Sequence, residues 1–315
     1  MKLTLIGLLI TGFIVNGFSA EKLINKIKFA SSVRAKELLT HEDEFTKSWS
    51  QFDIDSRMHK KHSTKEALLN FISDQARDWT IEEQNKIYSI IESIEKQIFK
   101  QGFKIDFPDE IFFVKTTADE EGGADGYTRA NYVVLKDNVI SHKNGELKQI
   151  IAHELFHILT RNNPEFRKQM YKFIGFELMN DVEYPMNLKA YRITNPDAPQ
   201  IDSYIKLKVG GQSVKCMMIL YSTQDYNDGD FFNYLNVGFL SLKGDSIKSV
   251  EYKDNKPVIY NIKQVTGFFE QVGKNTQYLI HPEEILADNF TFAILNKSGL
   301  PNQDIVNKIK MKLKE

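Results

Sequence analysis

The 315-residue chain is 42% hydrophobic, 26% charged and 12% aromatic, a globular composition far from the low-hydrophobicity, high-charge profile of disorder. Its 41 basic and 42 acidic residues leave a net charge of −1, so no global field exists to hold nucleic acid or an anionic membrane. A single cysteine, Cys216, excludes an intrachain disulfide framework, and 8 prolines with 17 glycines exclude a collagen-like or linker-dominated chain.

The first expected feature is a leader. Lys2 precedes an apolar run over residues 3–15, and the small residues Gly17, Ser19 and Ala20 come just before the charged pair Glu21-Lys22. This pattern predicts a secretory signal peptide over 1–19, cleaved after Ser19 or Ala20, with an uncleaved anchor as the alternative. The mature protein, 20–315, is then an exported single domain, secreted or periplasmic, with no membrane span. Residues 21–60 are mixed in charge and partly helical. Ser63-Thr64-Lys65-Glu66 and Thr80-Ile81-Glu82-Glu83 have capping-box spacing, and the second opens a helix with Ile87, Ile91, Ile94 and Ile98 on one face. Strands are expected over 108–115 and 127–135, joined by a flexible acidic loop. An amphipathic helix follows over about 145–160. From about 204 to 262 the texture is β, with strands at 204–209, 215–221, 231–242 and 249–252. Pro282 then opens another helix. The order of elements gives an α+β fold.

The chemistry concentrates in His153-Glu154-Leu155-Phe156-His157. Positions i and i+4 share a helical face, so both imidazoles can aim at one ion, at Zn–N distances near ~2.0–2.1 Å. Glu154 projects beside them, displaced from the ligand direction and placed to take a proton from water. A catalytic zinc needs a third protein ligand. The extended HExxHxxGxxH pattern is absent, because Thr160 and Asn163 stand where its glycine and histidine belong. A carboxylate is the better candidate, and Glu284-Ile285-Leu286-Ala287-Asp288 supplies one. Glu284 can ligate the ion while Asp288, on the same face, accepts the second ring N–H of His153. The small Ala287 lets the two helices approach. Glu283 lacks a paired acid at i+4, so Glu284 is preferred.

With HELFH at 153–157 and EILAD at 284–288, the chain resembles the gluzincin metallopeptidases, whose third ligand is a glutamate in an ExxxD helix. It is also similar to an exported bacterial family through the YTR at 127–129, the HELFH, the TNPDAP at 194–199 and the HPEE at 281–284. The first resemblance implies a zincin-like core in which an edge strand beside the active-site helix binds extended peptide, and 127–135 is placed to be that strand. It also implies one Zn2+ per chain, a peptide or protein substrate and Glu154 as general base. The 127 positions from His157 to Glu284 then require a β-rich insertion between the ligand helices. A donor must stabilise the oxyanion; Tyr127, Arg129, Tyr191 and His281 are the candidates.

Two rival readings remain at this level. One is a zincin-like binding or inhibitor protein without catalysis, which leaves the intact Glu154 without a task. The other is a structural helical protein in which HELFH is coincidence. Among weaker signals, His59 and His62 read as a solvated loop, Cys216 as buried and inert, and 194–199 as a turn by composition.

Overall fold

The computed structural model describes residues 22–315, so the expected leader lies outside the described residues. The N-terminal part is built from α1 (Leu23–Lys26), α2 (Ser32–Thr40), α3 (Glu44–Lys47), α4 (Gln51–Arg57), α5 (Lys65–Gln75) and α6 (Ile81–Lys100). Thr80 opens α6 with a reciprocal capping box, its hydroxyl accepting from the Glu83 amide while Glu83 accepts from the Thr80 amide. Ile87, Ile91 and Ile94 are buried beneath it, as the period requires. At α5 the cap is Thr64 rather than Ser63. Its side chain accepts from the Ala67 amide, and Ser63 instead donates to the Lys60 carbonyl.

The first sheet contains β1 (Ile27–Phe29), β2 (Ala76–Arg77), β3 (Ile111–Thr116), β4 (Gly126–Arg129) and β5 (Tyr132–Lys136). Its order is β1-β3-β5-β4, with β1, β3 and β5 parallel, β4 an antiparallel edge, and β2 antiparallel against the end of β3. The stretch expected as one strand over 127–135 is thus a hairpin. Ala130, at φ +43°, takes the left-handed turn that reverses the chain between Arg129 and Tyr132.

Two helices, α7 (Asn144–Asn162) and α8 (Pro164–Phe173), lead into the second sheet. That sheet starts earlier than the sequence suggests, at β6 (Phe176–Leu178), and passes α9 (Met186–Lys189) before β7 (Ser203–Val209), β8 (Gln212–Tyr221), β9 (Asn236–Lys243) and β10 (Ser249–Val250). A small hairpin, β11 (Tyr252–Lys253) with β12 (Lys256–Pro257), precedes β13 (Ile259–Tyr260). The order is β10-β9-β8-β7-β6, antiparallel throughout, with β13 also on β9. Residues expected to begin the strand at 231 form a 3-10 turn over Phe231–Tyr234, because the Asp230 carboxylate captures the Phe232 amide. The chain ends with α10 (Phe268–Val272), α11 (Pro282–Ile294) and α12 (Gln303–Lys312). The fold is α+β.

One hydrophobic cluster joins Ile87 of α6, Leu155 of α7 and Phe290 of α11 to Ile205, Met218 and Phe239 of the second sheet. Cys216 is buried in it, and burial pushes its thiol up to about 12. The acidic loop is not a free one. Glu120 and Glu121 are buried on the 3-10 turn Asp119–Glu121, where Glu121 takes a forked contact from Arg57 and Glu120 accepts from the Tyr127 hydroxyl at 2.9 Å. Arg57 in turn holds Asp53 at 2.7 Å. No helix among the described residues is long and apolar enough to cross a membrane.

Candidate metal centre

The centre forms where α7 lies against α11. Both helices turn small residues, Ala152 and Ala287, into the core, and each is fully buried. That lets the backbones come close enough for side chains from both to converge. His153 Nε2 lies 3.0 Å from Glu284 Oε2, and His157 Nε2 lies 3.5 Å from the same oxygen. The two imidazole centroids are 4.9 Å apart. One ligand atom from each of His153, His157 and Glu284 falls within 4.8 Å of the others.

These residues fit a divalent ion. His157 is 1% exposed, and neither of its ring nitrogens has a hydrogen-bond partner among the described residues. A buried polar group without a partner is costly, and a cation at the point of convergence would satisfy Nε2. Two imidazoles and a carboxylate form a zinc-type donor set. The electrostatics agree. Burial alone would lower the His153 pKa, but hydrogen bonds with Asp288 and Glu284 push it up to about 10, the mark of a pocket that favours positive charge.

Around this set stand residues that orient it. Asp288 Oδ1 meets His153 Nδ1 at 2.9 Å and is itself held by the Thr276 hydroxyl. Glu283, set aside from sequence spacing, places its charge beside the other histidine without a hydrogen bond to it. It is buried 3.6 Å from His157 Nδ1, accepts from the Tyr171 hydroxyl at 2.7 Å and from the Thr160 hydroxyl, and lies 3.7 Å from Arg167 Nε. Burial would raise its pKa, but His157 and Arg167 hold it at about 2. Its signal was faint: adjacency to a ligand, and a threonine three residues beyond His157.

Glu154 faces the edge strand. Gly126 stands so near it that Glu154 Oε1 is 3.0 Å from where a Cβ would sit. Its other oxygen is buried without a partner among the described residues, and burial followed by the charge of Asp197 pushes the carboxyl up to about 8. The 194–199 segment enters here too. Asn195 Nδ2 donates to Glu284 Oε1 at 2.6 Å, and a carboxylate oxygen of Asp197 lies within 4.8 Å of ligand atoms of Glu154 and His157. Tyr278, missed from the sequence, has its ring centroid 6.3 Å from that of His153. Although Tyr278 is 43% exposed as a whole, desolvation and then the charges of Glu284, Asp197, Glu154 and Asp288 raise its phenol.

The four expected oxyanion donors are committed elsewhere. Tyr127 donates to Glu120, and Arg129 spends its guanidinium on Asp43 and the carbonyls of Leu39 and His41. Tyr191 pairs with Asp225. His281 is the buried cap of α11, its Nδ1 accepting from the Glu283 amide at 3.1 Å. His59 and His62 both take positive φ in the connection before α5, and neither belongs to the centre.

Residues 100–165, about a fifth of the chain, match the family model described as the eCIS core domain. The matched stretch holds β3, the β4–β5 hairpin and all of α7 and so includes His153, Glu154 and His157, while Glu284 lies outside it. No curated protein and no solved structure matches the chain.

Proposed function

We propose that the chain is a zinc-dependent peptidase with a zincin-like core, exported and acting on peptide or protein substrates. The observation that carries this reading is the convergence of His153, His157 and Glu284 from two helices, with Glu154 turned toward an antiparallel edge strand. His153, His157 and Glu284 would hold the ion. When bound, zinc lowers the pKa of water toward ~7 and polarises a carbonyl.

The chain's own groups do the rest. Asp288 fixes His153 with its Nδ1 proton outward and Nε2 free for the site. Glu283 sets its charge 3.6 Å from His157 Nδ1, a looser counterpart of that arrangement. Glu154, with one unpartnered oxygen, accepts a proton from water and returns it to the leaving amine. Tyr278 replaces the four sequence candidates as the donor toward developing oxyanion charge. The outer edge of β4, which pairs with no further strand among the described residues, would offer backbone groups to an extended peptide.

The experiment is elemental analysis of the purified protein beside His153→Ala and Glu284→Ala, followed by hydrolysis of a quenched peptide library. About one zinc per chain, lost in both variants, and turnover lost in a zinc-loaded Glu154→Gln support the reading. A parent protein without metal overturns it. A second reading, a zincin-like binding or inhibitor protein, is favoured by one observation, the presence of Asn195 and Asp197 inside the cleft. It predicts bound zinc with no turnover in any variant.

A further inference from the structure

Resting on the metallopeptidase reading, we propose that the 194–199 segment is an internal strap that closes the site. In it Asp197 competes with an incoming peptide for the edge strand and with outside ligands for the ion. The pairing of Arg129 with Tyr132 closes the hairpin, so alternation turns the Thr128 amide away from β5 toward the free edge. That amide is what an extended substrate would use, and it donates to Asp197 Oδ1 at 2.6 Å. The Thr128 hydroxyl donates to the same oxygen at 2.7 Å. A carboxylate of the chain thus sits where a substrate carbonyl would.

The same carboxylate faces the centre. It lies within 4.8 Å of ligand atoms of Glu154 and His157, and Arg161 reaches it by charge rather than by a hydrogen bond. Arg161 binds the Asp197 carbonyl at 3.1 Å and the Thr128 hydroxyl at 3.0 Å, not the carboxylate. A half-buried anion placed this way gains most from a cation on its histidine side. Two residues earlier, Asn195 occupies the Glu284 oxygen that does not face the histidines. The Asn195 side chain also accepts from the Asp197 amide at 3.0 Å, so the two polar groups, one on each side of Pro196, are held as one unit.

The strap is rooted outside the centre. The Thr194 amide and hydroxyl both donate to Asp53, at 3.0 and 2.8 Å, and its carbonyl accepts from Arg57 at 3.0 Å. A strap held at both ends, at Thr194 and by the Arg192 contact to the Pro199 carbonyl, has a defined way to open between them: exchange of Asp197 for substrate on the Thr128 amide.

The test uses Co2+ as the probe in the metal-free full-length protein, Asp197→Asn and Thr128→Ala. Affinity is read by competition with a chromophoric chelator, and access by the acetohydroxamate concentration that changes the visible spectrum. Asparagine keeps the bond to the Thr128 amide but is a poor ligand, so Asp197→Asn is expected to bind Co2+ about tenfold more weakly. It should also admit acetohydroxamate at about tenfold lower concentration and raise kcat/KM on the peptide library. Thr128→Ala, which removes the hydroxyl bond to Asp197 and leaves the amide bond in place, should loosen the strap and ease acetohydroxamate access with Co2+ affinity kept. Unchanged affinity and access in both variants overturn the strap while leaving the metal centre intact. Failure of the parent to bind Co2+ overturns the metallopeptidase reading beneath it.

Discussion

Gly126 and Glu154 are in near-contact across the gap between the edge strand and α7, with 3.0 Å separating Glu154 Oε1 from the place of an absent Cβ. Gly126 has no positive φ, so alanine is conformationally acceptable there and only the added methyl matters. Gly126→Ala is therefore expected to displace the Glu154 carboxylate while zinc content stays at the parental level. Because a general base supplies roughly 10²–10⁴-fold, a partial displacement should lower kcat by about tenfold or more. Peptide turnover measured beside zinc content checks this. Parental kcat in the variant would show that Glu154 does not depend on the glycine.

Glu283 is expected to matter to the metal more than its distance from the ion suggests. Glu283→Gln keeps the shape but removes the charge that faces His157 and Arg167. Partners of this kind typically contribute 10–100-fold to metal affinity, so the variant should bind Zn2+ at least about tenfold more weakly. Competition titration against a chelator reads the change, and a near-ultraviolet spectrum like the parent's shows that the fold is kept.

His281 gives a pH dependence of stability with a definite sign. Burial holds its pKa down at about 4, and its Nδ1 must stay unprotonated to accept from the Glu283 amide. In the unfolded chain a histidine titrates near ~6.5. Between these values the unfolded state binds a proton that the native state refuses, so stability is full above ~6.5 and falls as pH drops toward 4. The loss reaches about 3 kcal/mol at the lower end. Urea midpoints at pH 7, 5.5 and 4.5 measure it. His281→Asn retains a cap acceptor and should lose this part of the slope; an identical slope in parent and variant would falsify the assignment.

The clustering of His153, His157 and Glu284 was legible because a helix imposes its period on everything it carries. His153 with His157, and Glu284 with Asp288, are each one turn apart, and the structure brings His153, His157 and Glu284 within 4.8 Å of one another. The Thr80 cap and the isoleucine stripe of α6 were legible for the same reason. The hairpin at Ala130 was not, since alanine seldom takes positive φ and sends no turn signal. The acids at 120 and 121 were misread as a flexible loop because Arg57, the counter-charge of Glu121, lies 64 positions away. Asp197, Asn195 and Glu283 act through contacts between 69 and 123 positions long, for which local pattern holds no signal.

The whole second sheet is strung between the two helices that carry the candidate ligands, so His153 and Glu284 meet across 131 residues. Contacts of such sequence separation form only after the intervening strands have paired, which places completion of the centre late in folding. An ion added to a refolding chain should therefore do little to the rate of the main folding phase. Its effect should appear on the reverse path, as slower unfolding, because a link between α7 and α11 must break before the strands between them can come apart.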